Sequence, residues 1–326
     1  MKALALFSGG LDSMLSVKLL VDQGIEVIAL HIDIGFNSKK DNHESLKKRA
    51  SMAGATLEVI DVHNEYLQEV LFNPRYGYGK QFNPCIDCHG YMFRVAKSLL
   101  SHFDASFVIT GEVVGQRPMS QTKEALGNVK RLANDMEENL ILRPLSAKLM
   151  AETTPEKEGW VKRELLLDFN GRGRSRQLAL AREFGWEDYP SSAGGCLLTD
   201  IQFSERLRDV LAHETFESTD TLILKNGRHF RLADGSKLVL GRNQIENDFL
   251  EKVTSSKYIP LHVKNLNAPF GLLSAQSSEA IRIEACKILL SFTKADATQS
   301  YDVYVADARI RTTPYASKEE ARVYLI

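Results

Sequence analysis

Ala3-Leu4-Ala5-Leu6-Phe7-Ser8-Gly9-Gly10-Leu11-Asp12-Ser13 decides how this chain is read. The apolar run 3–7 is a buried strand, and Ser8-Gly9-Gly10 is a tight turn. From Leu11 to Val21, the residues Leu11, Met14, Leu15, Val17, Leu19 and Leu20 suit a helix packed on a sheet, and Gly24 stops it. Residues 27–32 are a second apolar strand. Strand, helix and strand in so short a span imply a parallel unit. Two glycines let backbone N–H groups approach an anion. The helix N-terminus adds partial positive charge, and Ser8 and Ser13 add hydroxyl donors. Asp12 cannot bind a phosphate directly, so it is expected to hold Mg²⁺ or to cap the helix. The plain alternative is an ordinary strand-to-helix turn.

The pattern continues outward. Residues 44–52 and 92–103 read as helices, 56–62 and 106–110 as strands. The N-terminal half is therefore expected to be a doubly wound α/β domain with ligands at the carboxyl ends of its strands. Residues 113–160 are less regular. A basic stretch follows, with Arg163, Arg172, Arg174, Arg176 and Arg182. It either tracks phosphates or forms a solvated helix face. Residues 191–196 read as a loop. From about Thr215 the texture changes. Residues 221–224, 229–232 and 237–240 read as short strands, with Asn226-Gly227 and Asp234-Gly235 as hairpin turns. A helix is expected over 279–292, and strands over 301–305 and 310–313. The expected organisation is a catalytic domain over 1–165, a basic connector carrying the Cys196 loop over 166–212, and a smaller α+β domain over 213–326.

The 326 residues carry a net charge of −1 and are 44% hydrophobic, enough for a sizeable core. This balance argues against a bulk electrostatic nucleic-acid binder, so any nucleic-acid contact would come from local basic patches. No secretory signal is apparent, and no apolar run reaches the ~20 residues that span a bilayer. The chain reads as cytoplasmic, with no membrane partner. Four cysteines in such a chain favour metal binding or catalysis over structural disulfides. Cys85-Ile86-Asp87-Cys88 is expected at the end of a loop before a helix, and Cys196 lies on the second Gly-rich loop. Cys286 reads as a core thiol. The trio has four readings. They are a three-cysteine [4Fe–4S] cluster with one open iron, a zinc site completed by His89, a persulfide relay, and unlinked thiols.

Ser8-Gly9-Gly10-Leu11-Asp12-Ser13 resembles, residue for residue, the Ser-Gly-Gly-x-Asp-Ser loop of the PP-loop ATP pyrophosphatases. Two further strings sharpen the resemblance. Residues 85–96 look like the Cys-x-x-Cys segment of 4-thiouridine synthetases. Residues 110–122 look like their Thr-Gly-Glu-x-x-Gly-Gln motif, with one residue inserted before the serine. The resemblance implies that ATP is split into AMP and pyrophosphate, and that AMP activates O4 of a tRNA uridine, at position 8, for attack by sulfur. It places the adenosine over the ends of the first two strands, lined by Leu30, His31 and Ile32, although a strand-end role is the other reading of His31. Gly111, Gln116, Ser120 and Gln121 would contact ATP or the adenylate, and Arg143 a phosphate or RNA. The partners implied are tRNA and a sulfur donor, either a cysteine desulfurase or sulfide; homodimerisation stays open. The RNA-binding region that precedes the loop in those synthetases, and their rhodanese domain, are not found. Sulfur delivery is therefore expected to differ. Cys-x-x-Cys with one distant cysteine also resembles cluster-dependent tRNA thiolases, while 2-thiouridylases pair two cysteines without a cluster.

Residues 239–250 resemble the Gly-Arg-Asn-x-x-x-Asn-Asp signature of the RNA-binding domain of NFACT proteins. The resemblance makes Arg242, Asn243 and Asn247 RNA contacts. The other reading is a turn whose asparagines satisfy backbone groups. Arg172, Arg174 and Arg176 are further RNA candidates.

Overall fold

A computed structural model describes residues 1–37, 43–190 and 195–326. The chain divides into two compact units, Met1–Thr199 and Asp200–Ile326. Residues 191–194 of the expected loop lie outside the described residues.

The first unit contains β1 (Lys2–Leu6), α1 (Leu11–Val21), β2 (Glu26–Asp33), α2 (His43–Ala53), β3 (Thr56–Asp61) and α3 (His63–Tyr66). These are followed by α4 (Cys85–Ser98), β4 (Phe107–Thr110), α5 (Lys123–Leu132), β5 (Ile141–Leu142), α6 (Thr154–Lys157) and α7 (Ser175–Glu183). The sheet is parallel in the order β3-β2-β1-β4-β5. It is the doubly wound sheet that the repeating pattern predicts. The order reverses between β1 and β4, and such a switch point opens a crevice at the carboxyl ends of the strands. The loops after β1 and β4 are Ser8–Gly10 and Gly111–Gln116. Alternation sends Ala3, Ala5, Phe7, Val27 and Ala29 to one face, where they pack with Met14, Leu15, Val17 and Leu20 of α1. Helix α4 contacts β1 and β4. Within the expected connector, Ala181 of α7 and Trp186 join the first unit's core.

The second unit contains α8 (Ile201–His213), α9 (Ser218–Leu224), β6 (Arg228–Arg231), β7 (Lys237–Leu240), α10 (Gln244–Glu251) and β8 (Tyr258–Val263). It continues with β9 (Gly271–Ser274), α11 (Glu279–Ser291), β10 (Tyr301–Val305), β11 (Ala308–Thr312) and α12 (Lys318–Arg322). Its antiparallel sheet has the order β11-β10-β8-β9-β7-β6. One face packs on α11 through Leu261, Leu273, Val303, Val305, Ile281 and Leu289.

Three local expectations are corrected. Residues 221–224 are the end of α9 rather than a strand. A capping box formed by Glu217 and Asp220 starts that helix, and Asp220, buried, holds Lys257 at 2.6 Å. Capping and tertiary pairing outweigh the β-branched composition. Asn226-Gly227 consequently joins a helix to a strand, whereas Asp234-Gly235 does turn the β6–β7 hairpin. Helix α4 begins at Cys85, not near Met92, so the cysteine pair lies in its first turns and not in a loop. No helix among the described residues is long and apolar enough to cross a membrane.

Candidate active site

The phosphate loop leaves β1 while Phe7 N–H still bonds the Leu30 carbonyl at 2.9 Å. Gly9 has φ +71°, and a Cβ there would sit 2.6 Å from Leu46 of α2. Gly10 is the N-cap of α1, with no side chain to cap the helix. Ser13 Oγ donates to the Gly10 carbonyl at 2.7 Å. The first N–H groups of α1 have no intrahelical acceptor and suit an anion. Asp12 Oδ2 accepts from Gln116 Nε2 at 2.7 Å. Asp12 Oδ1 is buried and has no hydrogen-bond partner among the described residues. A buried carboxylate oxygen without a donor suits a hard cation such as Mg²⁺.

The loop after β4 closes onto the same helix turn. Gly111 lies against the α1 backbone, where a Cβ would come within 2.5 Å of Ser13 N. Ser16 Oγ donates to the Thr110 carbonyl at 3.1 Å. Gly115 N–H bonds Gln121 O at 2.7 Å. Ser120 and Gln121 are buried, and Gln121 Oε1 lacks a partner among the described residues. Gln116 also accepts from Gln177 Nε2 at 3.2 Å. Gln177 was not singled out from the sequence, because nothing in a basic stretch marks a glutamine that folds back. Leu30 and Ile32 are core residues. His31 has both ring nitrogens engaged, Nδ1 with Phe7 O at 2.9 Å and Nε2 with Asn37 Nδ2 at 3.2 Å. A carbonyl on one side and an amide donor on the other favour the neutral Nδ1–H tautomer.

The three cysteines that the sequence separates are brought together. Asn37, just past β2, makes a β-bridge with Cys196, and Leu197 N–H bonds Phe36 O at 2.9 Å. Cys85 Sγ accepts from Asn83 Nδ2 at 3.2 Å. Asp87 is buried and accepts from Arg75 N and Tyr76 N at 2.8 and 3.0 Å, pinning the loop ahead of α4. Burial pushes the Cys88 thiol far up, and the nearby Cys196 and Cys85 sulfurs push it further. Burial likewise raises Cys196 to about 11, with Cys85 contributing. Only close neighbours act on one another in this way. Burial also raises the Tyr66 phenol, which faces Cys88 and feels all three sulfurs. All three thiols are free. No group of three or more His, Cys, Asp or Glu among the described residues is arranged to chelate one metal ion. Cys85, Cys88 and Cys196 are near enough to act on one another, and thiols are the donor type that both a cluster and a persulfide relay use.

Next to the cysteine pair, Glu112 Oε1 bonds His89 Nδ1 at 2.7 Å, and Glu112 Oε2 accepts from Arg143 Nε at 2.9 Å. Burial alone would raise the Glu112 carboxyl, but Arg143 and His89 reverse the effect and hold it below the usual carboxylate range. Arg143 is 5% exposed, a buried partner of this carboxylate and not a surface contact.

The arginine run reaches the same region. Gly171 N–H bonds Val114 O at 2.8 Å, so residues 170–176 pass beside the loop after β4. Arg172 and Arg176 are exposed, and Arg176 pairs with Asp168 at 2.7 Å. Arg174 is half-buried, and its Nε has no partner among the described residues. In the second unit, Arg242 is held by Glu246, at 2.9 Å from its Nε. Asn243 Oδ1 caps α10 by accepting from Glu246 N at 3.1 Å. Asn247 Oδ1 accepts from Phe270 N at 3.1 Å and rests on Gly241, where a Cβ would be 2.1 Å away. Both asparagine oxygens are thus engaged with backbone.

Residues 1–149 match the family described as thiamine biosynthesis protein (ThiI), and residues 227–324 match the NFACT protein RNA binding domain. A tRNA-specific 2-thiouridylase of Fusobacterium nucleatum is 25% identical over 76% of this chain and 71% of its own length. A probable tRNA sulfurtransferase of Thermococcus kodakarensis is 31% identical over 44% of this chain, a match spanning only 36% of that protein. The crystal structure of a 4-thiouridine synthetase–RNA complex with bound ATP is 22% identical, covers 56% of this chain and 40% of that one, and has a TM-score of 0.38. The first part of the chain, residues 1–149, is thus similar to the ThiI family, and residues 227–324 are similar to the RNA-binding domain of NFACT proteins.

Proposed function

We propose that this protein is an ATP-dependent tRNA sulfurtransferase that adenylates a uridine carbonyl and replaces its oxygen with sulfur, giving 4-thiouridine at position 8. The observation that carries this reading is the gathering of Cys85, Cys88 and Cys196 around Tyr66, with Cys196 paired to Asn37 past the carboxyl end of β2, next to β1, whose carboxyl end bears the phosphate loop. A uracil oxygen is a poor leaving group. Its attack on the α-phosphorus of ATP expels pyrophosphate and makes it a good one, and attack of sulfur on the same carbon then releases AMP carrying that oxygen.

The amides of residues 9–13 stabilise the departing pyrophosphate. Asp12 would hold Mg²⁺ through Oδ1 while Gln116 orients it through Oδ2, and the ion supplies Lewis-acid charge neutralisation. Cys85, Cys88 and Cys196 would hold a [4Fe–4S] cluster, which would supply iron able to bind sulfide. Tyr66 would orient the Cys88 thiol and Asn83 the Cys85 thiol. Without a cluster, one thiol would carry a persulfide delivered by a cysteine desulfurase; its outer sulfur would attack the activated carbon and expel AMP, and a second thiol would then attack the inner sulfur, closing a disulfide and freeing the thiouridine. Arg172, Arg174 and Arg176 would meet RNA phosphates at the mouth of the site. The partners are tRNA and a sulfur donor.

The test is incubation of unmodified tRNA with protein, ATP, Mg²⁺ and sulfide under anaerobic conditions, followed by mass spectrometry of the nucleosides. Recovery of 4-thiouridine is expected; absence of any thionucleoside, with no AMP released, sinks the reading. The match over 76% of the chain is to a 2-thiouridylase, which favours 2-thiouridine as the second reading, and the same spectra separate the two. Iron and acid-labile sulfide assays test the cofactor. About four of each per chain, lost in Cys196→Ala, are expected. Iron-free protein that thiolates with a cysteine desulfurase and cysteine as donor, but not with sulfide alone, leaves the relay.

A further inference from the structure

Two stretches of the first unit meet beside Cys85. One is Gln116-Arg117-Pro118-Met119-Ser120, which holds one residue more than the corresponding motif of 4-thiouridine synthetases. In this longer turn Met119 Sδ accepts from Asn83 Nδ2 at 3.3 Å, and the same amide donates to Cys85 Sγ at 3.2 Å. The other stretch is residues 72–84, ahead of α4. Asp87 of α4 holds it by accepting from Arg75 N and Tyr76 N. Asn83 closes its end, accepting Gly79 N at the carbonyl at 3.0 Å and Gln81 N at Oδ1 at 3.2 Å. Gly79 is pressed against the same pair of side chains. A Cβ there would stand 2.5 Å from Asn83 Nδ2 and 2.8 Å from Met119 Sδ.

Tyr78 is the neighbour of that glycine, so its backbone is one peptide unit from the contact that reaches Cys85. Its hydroxyl donates to Leu71 O at 2.6 Å. Phe82 lies beside its ring, with centroids 4.5 Å apart and planes 38° apart. The Tyr78 side chain is thus fixed at its tip and backed by a second ring, yet the residue is 39% exposed. Lys80 and Arg117 flank it. Both are exposed, and neither joins an ion pair among the described residues. Arg117 is also near enough to Cys196 to oppose the rise of its thiol. A rigid ring open to solvent, unpaired cations on both sides and a thiol next to them form a surface that suits a base and its phosphates. An enzyme that works on a base in folded RNA must take that base out of its stack and hold it beside the reacting group.

We infer that Tyr78 stacks an unpaired uracil of the RNA beside Cys85, with Lys80 and Arg117 on the flanking phosphates. This rests on the tRNA reading above and adds to it the residues that hold the base. The inserted residue in the 116–120 turn has a use in this arrangement, because Met119 and Asn83 lock the ring's loop to the cysteine.

The test uses the full chain with two short single strands of equal length, an oligouridylate and an abasic strand that has the phosphates without the bases. Binding is followed by fluorescence anisotropy across a salt series. Wild type is expected to prefer the oligouridylate. Tyr78→Leu is expected to cut that preference by about five- to a hundredfold, and Tyr78→Phe to keep it. Lys80→Ala with Arg117→Ala is expected to lower the salt slope by about 1.4 for both strands; both side chains are exposed, so this variant decides the matter even if Tyr78→Leu does not fold. A preference that survives Tyr78→Leu, a slope unchanged in the double variant, or wild type that binds neither strand overturns the inference. Thiolation of tRNA is scored on the same preparations. Loss in Tyr78→Leu should be restored by more tRNA. Restoration by more cysteine desulfurase instead would make the loop a docking surface for the donor and also overturns the inference. Wild-type thiolation that none of the variants alters removes the uracil platform and leaves the enzyme reading. A Tyr78-dependent preference in a protein that forms no thionucleoside removes the enzyme reading and leaves the platform.

Discussion

Asp12 shows how much one side chain can carry. Its two oxygens differ, one bonded to Gln116 and one buried without a donor. Asp12→Asn keeps the shape and removes the charge. It is expected to lower tRNA-dependent pyrophosphate release by roughly a hundredfold or more while leaving the thermal transition nearly unchanged. Activity within a factor of a few of wild type would mean that no cation is held there. Glu112 differs, because both of its partners are bound to it inside the protein. Glu112→Gln leaves Arg143 buried without its counter-charge, at a cost of about 3–5 kcal/mol. The Glu112 pKa is lower folded than unfolded. Its contribution is therefore present above the ordinary carboxylate pKa and is lost as pH falls through the depressed folded value. Urea titrations at neutral and acidic pH should show the wild-type advantage over Glu112→Gln shrinking toward acid; an advantage constant with pH contradicts the pairing.

Among the elements, α10 separates a structural role from a binding one. Its N-cap is Asn243, whose side chain bonds Glu246 N. Asn243→Ala is expected to cost about 1 kcal/mol of stability, and Asn243→Ser, an equally good cap, close to nothing. Neither should change tRNA affinity beyond that. If Asn243→Ser keeps its melting temperature but loses tRNA binding, the asparagine contacts RNA after all. Helix α9 carries the complementary lesson. A strand was expected at 221–224 from threonine and aliphatic residues, yet Glu217 and Asp220 cap a helix there. Capping reads locally, but Lys257, which completes the Asp220 site, is contributed from far along the chain.

For the whole molecule, the division between Thr199 and Asp200 predicts that each unit folds alone. Each has its own sheet and its own core cluster. Residues 200–326 expressed separately should melt in one cooperative transition, followed by circular dichroism. A fragment with no transition would show that its core depends on the first unit. Much of the doubly wound sheet was legible, because each strand and helix of that unit is a short periodic run. The less regular stretch 113–160 hid β5, two residues long, and α5; so brief a strand has no period to detect.

The sequence by itself determined the phosphate loop, the parallel order of events from β1 to β4, the Cys85–Cys88 pair and the presence of a second module. All are local: a turn, a period or a spacing within a few residues. The tertiary structure alone decided which distant groups meet. Cys196 reaches the cysteine pair because its backbone pairs with Asn37. Gln177 reaches Gln116, Arg143 turns inward to Glu112, and His262 aligns with Tyr304. These contacts are set by strand register and sheet order, which depend on the free energy of the whole packed core and leave no signature in any single window of sequence.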